Sequence, residues 1–245
     1  MLREITDREW LAREPDLIRQ ERFALDLLTD TGVPAPRHVA SDDEAGLLLM
    51  TMLSGDVRPA RGEVASGATT LGAMAARIAA VELPDDHGLH GWRSWAPTEL
   101  VPPEWGDRGL WEEAIDVFLD RDAPTADPLV LLHRDLHPLN VLWVDDDISG
   151  IVDWVNTCVG HPHADLAHCR WNLHTLAGSE AADALLVGYG AVDYDPWWDI
   201  CAVMGMDPGP MDTTAWNVLG RTDLTVDRVN ESTEVFLRAA MGRLL

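Results

Sequence analysis

The chain has no lysine: its 18 basic residues are all arginine, against 42 acidic residues, and the formal net charge is -24. This shortage of positive charge argues against nucleic acid and anionic membranes as partners, because both repel an acidic protein. The same charge would favour a cationic small molecule. Because lysine is missing, any side chain that binds phosphate through positive charge is expected to be an arginine.

Cysteines and long apolar segments are also scarce. Cys158, Cys169 and Cys201 are too few and too scattered for a disulfide framework, so we expect buried free thiols. The longest apolar runs, such as 46–50 and 128–132, are far too short to cross a bilayer. The first seven residues lack the apolar centre of a signal peptide. We therefore expect a cytoplasmic protein.

With 245 residues and 47% hydrophobic composition, the chain can form one large domain or two lobes. Apolar periodicity with Gly and Pro stops predicts helices over 16–31, 69–83, 110–119, 164–177, 179–189, 196–206 and 225–244. Short apolar runs predict strands over 37–40, 46–50, 130–132, 141–144 and 150–152. Asp145–Asp147 is predicted to be a turn, and 85–107 a long loop. This order predicts a small part, 1–55, followed by a mostly helical part, 56–245.

The most specific segment is LHRDLHPLN at 132–140, followed by GIVDW at 150–154. Phosphoryl transfer from ATP needs one carboxylate to orient and deprotonate a hydroxyl. It also needs an amide oxygen and a second carboxylate to hold Mg²⁺ on the phosphates. Asp135, Asn140 and Asp153 supply these groups in that order. The alternative is a polar surface loop, which the position of each residue beside an apolar strand disfavours.

With its flanking segments, the chain resembles the aminoglycoside phosphotransferase and choline kinase-like family, relatives of the protein kinases. The similarity covers nearly the whole chain, and it includes RQE at 19–21, GVPAP at 32–36, LLLMTM at 47–52 with Gly55, and GHPHADLA at 160–167. The resemblance implies an α+β, two-lobed protein kinase-like fold with a truncated small N-lobe and a mostly helical C-lobe.

The resemblance also implies an activity. It suggests an ATP- and Mg²⁺-dependent phosphotransferase that transfers the γ-phosphate to a hydroxyl of a small molecule. Candidate acceptors are an aminoglycoside-like or other antibiotic, a sugar or an amino alcohol, and the acidic chain would favour a cationic one. The protein is expected to be a monomer or a homodimer.

The family's functional residues map onto this chain by position. Asp135 would be the catalytic base or hydroxyl orienter, and His133 a scaffold residue of the same catalytic loop. Asn140 and Asp153 would hold Mg²⁺ against the phosphates of ATP. Asp165 would either anchor the catalytic loop through backbone amides or simply interact with a helix dipole.

Residues 50–53, including Met50 and Met52, would be the hinge whose backbone faces adenine; the alternative is a strand end that enters a linker. Arg3 lies 18 positions before Glu21. This spacing suits the basic–acidic pair that clamps the α- and β-phosphates in kinase-like small lobes. The alternative for Arg3 is a solvated terminal residue.

A kinase-like small lobe begins with two strands and a glycine-containing loop before the basic residue, and these would lie before Met1. The natural protein could be longer, the chain could be a fragment, or it could be a degenerate kinase without this loop. A catalytically impaired, pseudokinase-like binding module is therefore the second hypothesis.

Four further features of the sequence need an interpretation. Arg134 stands where small residues are common in this group, and it either contacts an acidic group, contacts a phosphate or is exposed. Val155 replaces a frequently acidic residue, which removes an extra metal or substrate contact at that position. Histidines and Cys169 between 161 and 174 suggest zinc by composition, but the standard zinc spacings are absent. We expect helix and loop histidines there, and mainly core packing for the 11 tryptophans.

Overall fold

The computed structural model describes residues 1–206 and 213–244. Its strands are β1 (Leu2–Glu4), β2 (His38–Asp42), β3 (Leu47–Met50), β4 (Val130–Leu132), β5 (Val141–Val144), β6 (Asp147–Ile151) and β7 (Cys158–Gly160). Its helices are α1 (Arg8–Arg13), α2 (Leu17–Leu28), α3 (Arg61–Ala79), α4 (Arg108–Leu119), α5 (His163–Ala177), α6 (Ser179–Tyr189), α7 (Trp197–Met204), α8 (Thr214–Val218) and α9 (Val226–Leu244). This mixed α+β architecture confirms the predicted fold class.

The N-terminal part is a three-stranded antiparallel sheet in the order β1-β3-β2, packed against α2. The buried face of α2 carries Leu17, Ile18, Ala24, Leu25 and Leu28 at helical spacing. Glu21 falls on the same face and exposes only 1% of its surface. The periodicity of α2 therefore turns one carboxylate inward among apolar side chains.

Two short antiparallel pairs form the centre of the chain. In the β5–β6 hairpin, Val141 is opposite Ile151, and just beyond it the backbone N–H of Val152 donates to the carbonyl of Asn140 over 3.0 Å. In the other pair, β4 lies against β7, with Leu132 opposite Cys158. These pairings bring the ends of β4, β5 and β6 together, although the segments are separated along the chain.

The helical part is built around α3, α5 and α6, with α7 and α9 packed on α5. Two glycines allow α3 and α6 to approach closely. A Cβ at Gly72 would collide with the carbonyl oxygen of Leu185, and one at Gly188 would collide with that of Thr69. In the described part of the chain, no helix combines the length and apolar character needed to cross a membrane.

Most predicted elements are present. The strands 130–132 and 141–144 and the helix 179–189 have their predicted bounds, and the other elements, apart from one helix, differ by three residues or fewer at either end. The predicted loop 85–107 contains no helix or strand. The division into parts at 55/56 stays a prediction.

The predicted bounds 69–83 are wrong for α3, which runs from Arg61 to Ala79. Glycines in the first half of α3 weaken the helical pattern in the sequence. One of them, Gly67, is explained by packing, because it lies against the ring of Trp143, where a larger residue would be crowded. At the other end, Pro84 disfavours helical geometry at the residue before it. The sequence patterns also do not predict α1, β7 and α8, each of six residues or fewer.

A buried ion pair joins α5 to α7. Arg170 is fully buried, and its Nε and Nη2 donate to the two carboxylate oxygens of Asp199 over 3.0 and 3.2 Å. Asp199 also accepts from the hydroxyl of Tyr194, and Arg170 contacts the more exposed Asp183. Because both charges are removed from water, each depends on the other for compensation.

We expect Asp199→Asn to lower the free energy of unfolding by about 3 kcal/mol, because it leaves the guanidinium of Arg170 buried without its main counter-charge. Urea denaturation followed by circular dichroism measures this change. The control is Asp183→Asn, which removes a carboxylate that is 57% exposed from the same arginine and should cost less than about 1 kcal/mol. Equal losses in the two variants would contradict the assignment.

Candidate active site

The loop after β4 is held in place by Asp165, in the first turn of α5. Its carboxylate oxygens accept the backbone N–H groups of His133, over 2.7 Å, and of Arg134, over 2.8 Å. Asp165 is 5% exposed. Of the two alternatives from the sequence, this geometry matches an anchor of the catalytic loop, since the carboxylate bonds the loop rather than the amides of its own helix.

His133 is completely buried and uses both ring nitrogens within the protein. Its Nε2 lies 2.9 Å from the carbonyl of Val152, and its Nδ1 accepts the backbone N–H of Asp135 over 3.3 Å. Burial lowers the pKa of this imidazole, so the neutral form is favoured. The geometry suits a scaffold role between the loop and the end of β6, and it leaves no ring nitrogen for a substrate.

Asp135 is partly exposed and hydrogen-bonded on several sides. Its Oδ1 lies 3.0 Å from Nε2 of His168 and 3.7 Å from Nε2 of His137. Burial alone would raise the pKa of the Asp135 carboxyl, but the hydrogen bond to His168 and the charges of His168, His137 and His133 together outweigh this and lower that pKa to about 2. The carboxylate is therefore ionised near pH 7 and can accept a proton.

Asn140 and Asp153 lie at the open ends of β5 and β6, which brings them side by side. The Nδ2 of Asn140 donates to the backbone carbonyl of Asp135 over 2.9 Å. Among the described residues its Oδ1 takes no hydrogen bond, so the amide oxygen is the atom left for a cation. Asp153 has left-handed backbone, with φ 69°, and its side chain is 38% exposed.

Arg3, Glu21 and Asp153 come together from three distant parts of the chain. Nη1 of Arg3 lies 2.6 Å from Oδ1 of Asp153, and Nε of Arg3 lies 3.5 Å from Oε2 of Glu21. Burial raises the pKa of Glu21 to about 7, although the charge of Arg3 opposes this. Arg3 thus contacts Glu21, the residue with which its sequence spacing suggested a pair. Its shorter contact, however, is with Asp153.

The two methionines of the predicted hinge differ. Met50 is buried at the end of β3, and its backbone N–H and carbonyl both bond to the backbone of Met1. Met52 is 82% exposed, and its backbone groups take no hydrogen bond within the described residues. If adenine binds along this segment, the backbone of Met52 is available for it and that of Met50 is not.

The donor set suits a hard divalent cation. Asn140 and Asp153 offer an amide oxygen and a carboxylate, and Mg²⁺ is commonly held by one or two such groups together with phosphate oxygens. Asp153 already has a positively charged group beside it, because the guanidinium of Arg3 contacts its carboxylate. In residues 1–206 and 213–244, no group of three or more His, Cys, Asp and Glu side chains could hold a metal ion.

The histidine-rich segment is divided among different contacts. His168 faces Asp135, His174 bonds the hydroxyl of Ser232, and His161 packs on the ring of Trp198. Sequence reasoning did not assign His168 to the catalytic loop. A signal was available, because His168 lies one turn after Asp165 on α5, so an anchor at 165 places residue 168 on the face toward the loop.

The fold and this site define a protein kinase-like phosphotransferase architecture. A model of the phosphotransferase enzyme family matches residues 5–199, and the chain belongs to that family. This confirms the resemblance found in the sequence.

Solved structures agree on the fold. Spectinomycin phosphotransferase in complex with ADP and spectinomycin aligns with 91% of this chain and 82% of its own, with a TM-score of 0.61 at 13% identity. Amicoumacin kinase in complex with AMP-PNP and Ca²⁺ aligns with 95% of this chain and 84% of its own, with a TM-score of 0.57 at 16% identity. At such low identity these likenesses establish the fold alone.

Among curated proteins, the homoserine kinase of Rhodospirillum rubrum is 31% identical over 157 residues, which cover 56% of this chain and 47% of that protein. The chain spans about half or less of the length of the curated relatives it matches. The similarity therefore supports the kinase class without fixing the acceptor.

We expect Asp165→Asn to lower the free energy of unfolding by about 2 kcal/mol, because one buried loop N–H loses its charged acceptor. Hydrogen exchange should become faster at the amides of His133 and Arg134. Urea denaturation and amide exchange measure the two effects.

The matched control is Asp227→Asn, in the exposed first turn of α9. It removes only a helix-dipole interaction and should cost less than about 1 kcal/mol. If both variants lose the same stability and neither changes exchange in the loop, Asp165 is an ordinary first-turn residue and the anchor assignment is wrong.

Proposed function

We propose that the protein is an ATP- and Mg²⁺-dependent phosphotransferase that acts on a hydroxyl group of a small molecule. The observation that carries the proposal is the convergence of Arg3, Glu21 and Asp153 beside the loop that presents Asp135 and Asn140. Every one of these residues was selected from the sequence by its expected role in phosphoryl transfer. A surface loop of polar residues gives no reason for this convergence.

In this proposal Asp135 orients the acceptor hydroxyl and takes its proton while the new bond to phosphorus forms. The hydrogen bond from His168 fixes the carboxylate, and the bond from Nδ2 of Asn140 to the Asp135 backbone fixes the loop. Arg3, held by Glu21, provides positive charge for the phosphates of ATP, and its planar fork suits two phosphate oxygens.

Asn140 and Asp153 would hold Mg²⁺, which when bound neutralises charge on the phosphates. Without it, Arg3 occupies one oxygen of Asp153. Nucleotide and metal together would separate this pair, with Asp153 moving to the metal and Arg3 to the phosphates. The contact between Arg3 and Asp153 thus keeps both side chains close to where they would act.

A small acceptor is supported by the family and by the names of the relatives, which include kinases of homoserine, spectinomycin and amicoumacin. Homoserine carries an amino group and a hydroxyl, as the amino alcohols expected from the sequence do, and it also carries a carboxylate. The second hypothesis, a pseudokinase-like module, predicts nucleotide binding without phosphoryl transfer, so the experiments on Asp135 and Asp153 separate the two.

We expect Asp135→Asn to reduce ADP release in the presence of an acceptor by about 10²- to 10⁴-fold, because the base is lost while the shape of the side chain is kept. A coupled assay over a panel of hydroxyl compounds measures the rate. The control is Asp145→Asn in the exposed turn between β5 and β6, which removes the same charge. A wild-type protein that binds ATP but transfers phosphate to no acceptor would favour the pseudokinase-like module.

We expect Asp153→Asn to abolish the part of ATP affinity that depends on Mg²⁺, because asparagine tolerates the left-handed backbone but lacks the charge to hold the metal. Titration calorimetry with ATP, with Mg²⁺ and with EDTA, measures this part. Binding in EDTA serves as the internal control and should change little. An Asp153→Asn protein that retains the full Mg²⁺ dependence would show that the metal is held elsewhere.

A further inference from the structure

Arg134 is a buried cation in the catalytic loop with an unusual set of contacts. It exposes 8% of its surface, and its Nη2 donates to the backbone carbonyl of Arg93 over 2.9 Å. The guanidinium lies 3.6 Å from the ring centre of Trp95 and 5.5 Å from that of Trp92. Its backbone is fixed by Asp165 and has left-handed geometry, with φ 73°.

Within the described residues, Arg134 forms no ion pair with a carboxylate. Burial lowers the pKa of its guanidinium, which reflects the cost of removing this charge from water. Two indole rings offset part of that cost through cation–π contacts. Arginine has five N–H donors, and the bond to Arg93 uses only one donor group. Its remaining donor groups therefore have no carboxylate partner within the described residues.

Arg134 lines a cleft of about 560 Å³ between the start of α2, the loop around 90–95 and the segment 155–158. Arg13 and Arg93 line the same cleft, and neither forms an ion pair within residues 1–206 and 213–244. Three unpaired arginines are thus collected in one cleft of a chain with a net charge of -24. The three arginines therefore place positive charge in this cleft, although the chain as a whole is strongly negative.

The remaining charged groups of the cleft are mostly engaged. Asp16 lies 2.6 Å from Nη2 of Arg19 and 3.7 Å from Nε2 of His90. Glu14 accepts a hydrogen bond from the indole of Trp10 over 3.3 Å. Asp16 therefore opposes an incoming anion less than a free carboxylate would, because Arg19 offsets its charge, whereas the indole of Trp10 does not offset the charge of Glu14.

The cleft is connected to Asp135 through side chains in contact. Trp95 packs on Arg134 and also edge-on against His168, with ring centres 5.7 Å apart. His168 bonds Asp135 over 3.0 Å. Trp95 and His168 thus lie between Arg134 and Asp135, and an acceptor with its hydroxyl at Asp135 has to pass these two rings to reach Arg134.

We infer that this cleft binds the carboxylate group of the acceptor, with the guanidinium of Arg134 as its main partner. The inference rests on the proposed function and narrows it to hydroxyl compounds that carry a carboxylate, such as hydroxy amino acids. A planar carboxylate matches the fork of an arginine through two parallel hydrogen bonds. Trp92 and Trp95 hold the fork in position and exclude water around it.

The test compares matched acceptors that differ only in the carboxylate: L-homoserine against 3-aminopropan-1-ol, and L-serine against ethanolamine. Spectinomycin and streptomycin serve as acceptors without a carboxylate.

We expect phosphoryl transfer to prefer a carboxylate-bearing compound. Arg134→Gln should raise the KM for that compound about tenfold or more, because a charge-assisted pair is lost, while the KM for ATP stays unchanged. Arg61→Gln, an exposed arginine at the start of α3, removes the same charge as a control.

Binding without turnover provides a second readout. Intrinsic fluorescence should change on titration with L-homoserine because two tryptophans surround Arg134, and this saturable change should disappear in Arg134→Gln but not in Arg61→Gln. Thermal unfolding without ligand checks that Arg134→Gln is folded; if it is not, Arg134→Lys, which keeps the charge without the fork, replaces it.

Several results would overturn the inference. One is a preferred acceptor that lacks a carboxylate, which leaves the proposed function intact. Another is an equal effect of Arg134→Gln on both members of a pair. A saturable response to inorganic phosphate, but to no carboxylate, would show a free-anion site instead. If no compound is phosphorylated, the proposed function fails separately, and the fluorescence titration decides on the carboxylate site by itself.

Discussion

The two hydrogen bonds from the loop amides to Asp165 are the constraint on which the site depends. They attach the end of β4 to the first turn of α5, so the loop cannot move independently of the helical part. His133 in this loop contacts the carbonyl of Val152, which directly precedes Asp153 in the segment after β6. One carboxylate therefore fixes the relative positions of a candidate base and two candidate metal ligands that lie on different segments.

The proximity of the candidate site residues could be predicted where their spacing along the chain is short. Asp135 and Asn140 lie within one loop, and Asp153 ends the next hairpin, so short-range geometry brings them together. The approach of Arg3 to Glu21 was also predicted, but its closer contact with Asp153 was not, because that contact spans 150 positions of the chain. No periodicity or motif encodes a pairing of that kind.

Other features depended on packing that the sequence does not display. The loop 85–107 has no regular pattern, so its placement over Arg134, and hence the burial of that arginine, could not be derived from residue order. The early part of α3 was hidden because it contains glycines, one of which, Gly67, lies close against the ring of Trp143. Helix propensity describes only the local free-energy cost of a glycine in a helix. The benefit of that glycine, close packing against another element, does not appear in the propensity.

Arg134 and Asp153 both have a backbone conformation that lowers the stability of the fold. Both hold left-handed backbone without being glycine, a conformation that costs an L-residue about 1–2 kcal/mol. Glycine at either position would relieve that cost and also remove the charged group. The contacts that offset this backbone cost, Trp95 for Arg134 and Arg3 for Asp153, belong to the site itself, so the site maintains the strained conformations on which its own geometry depends.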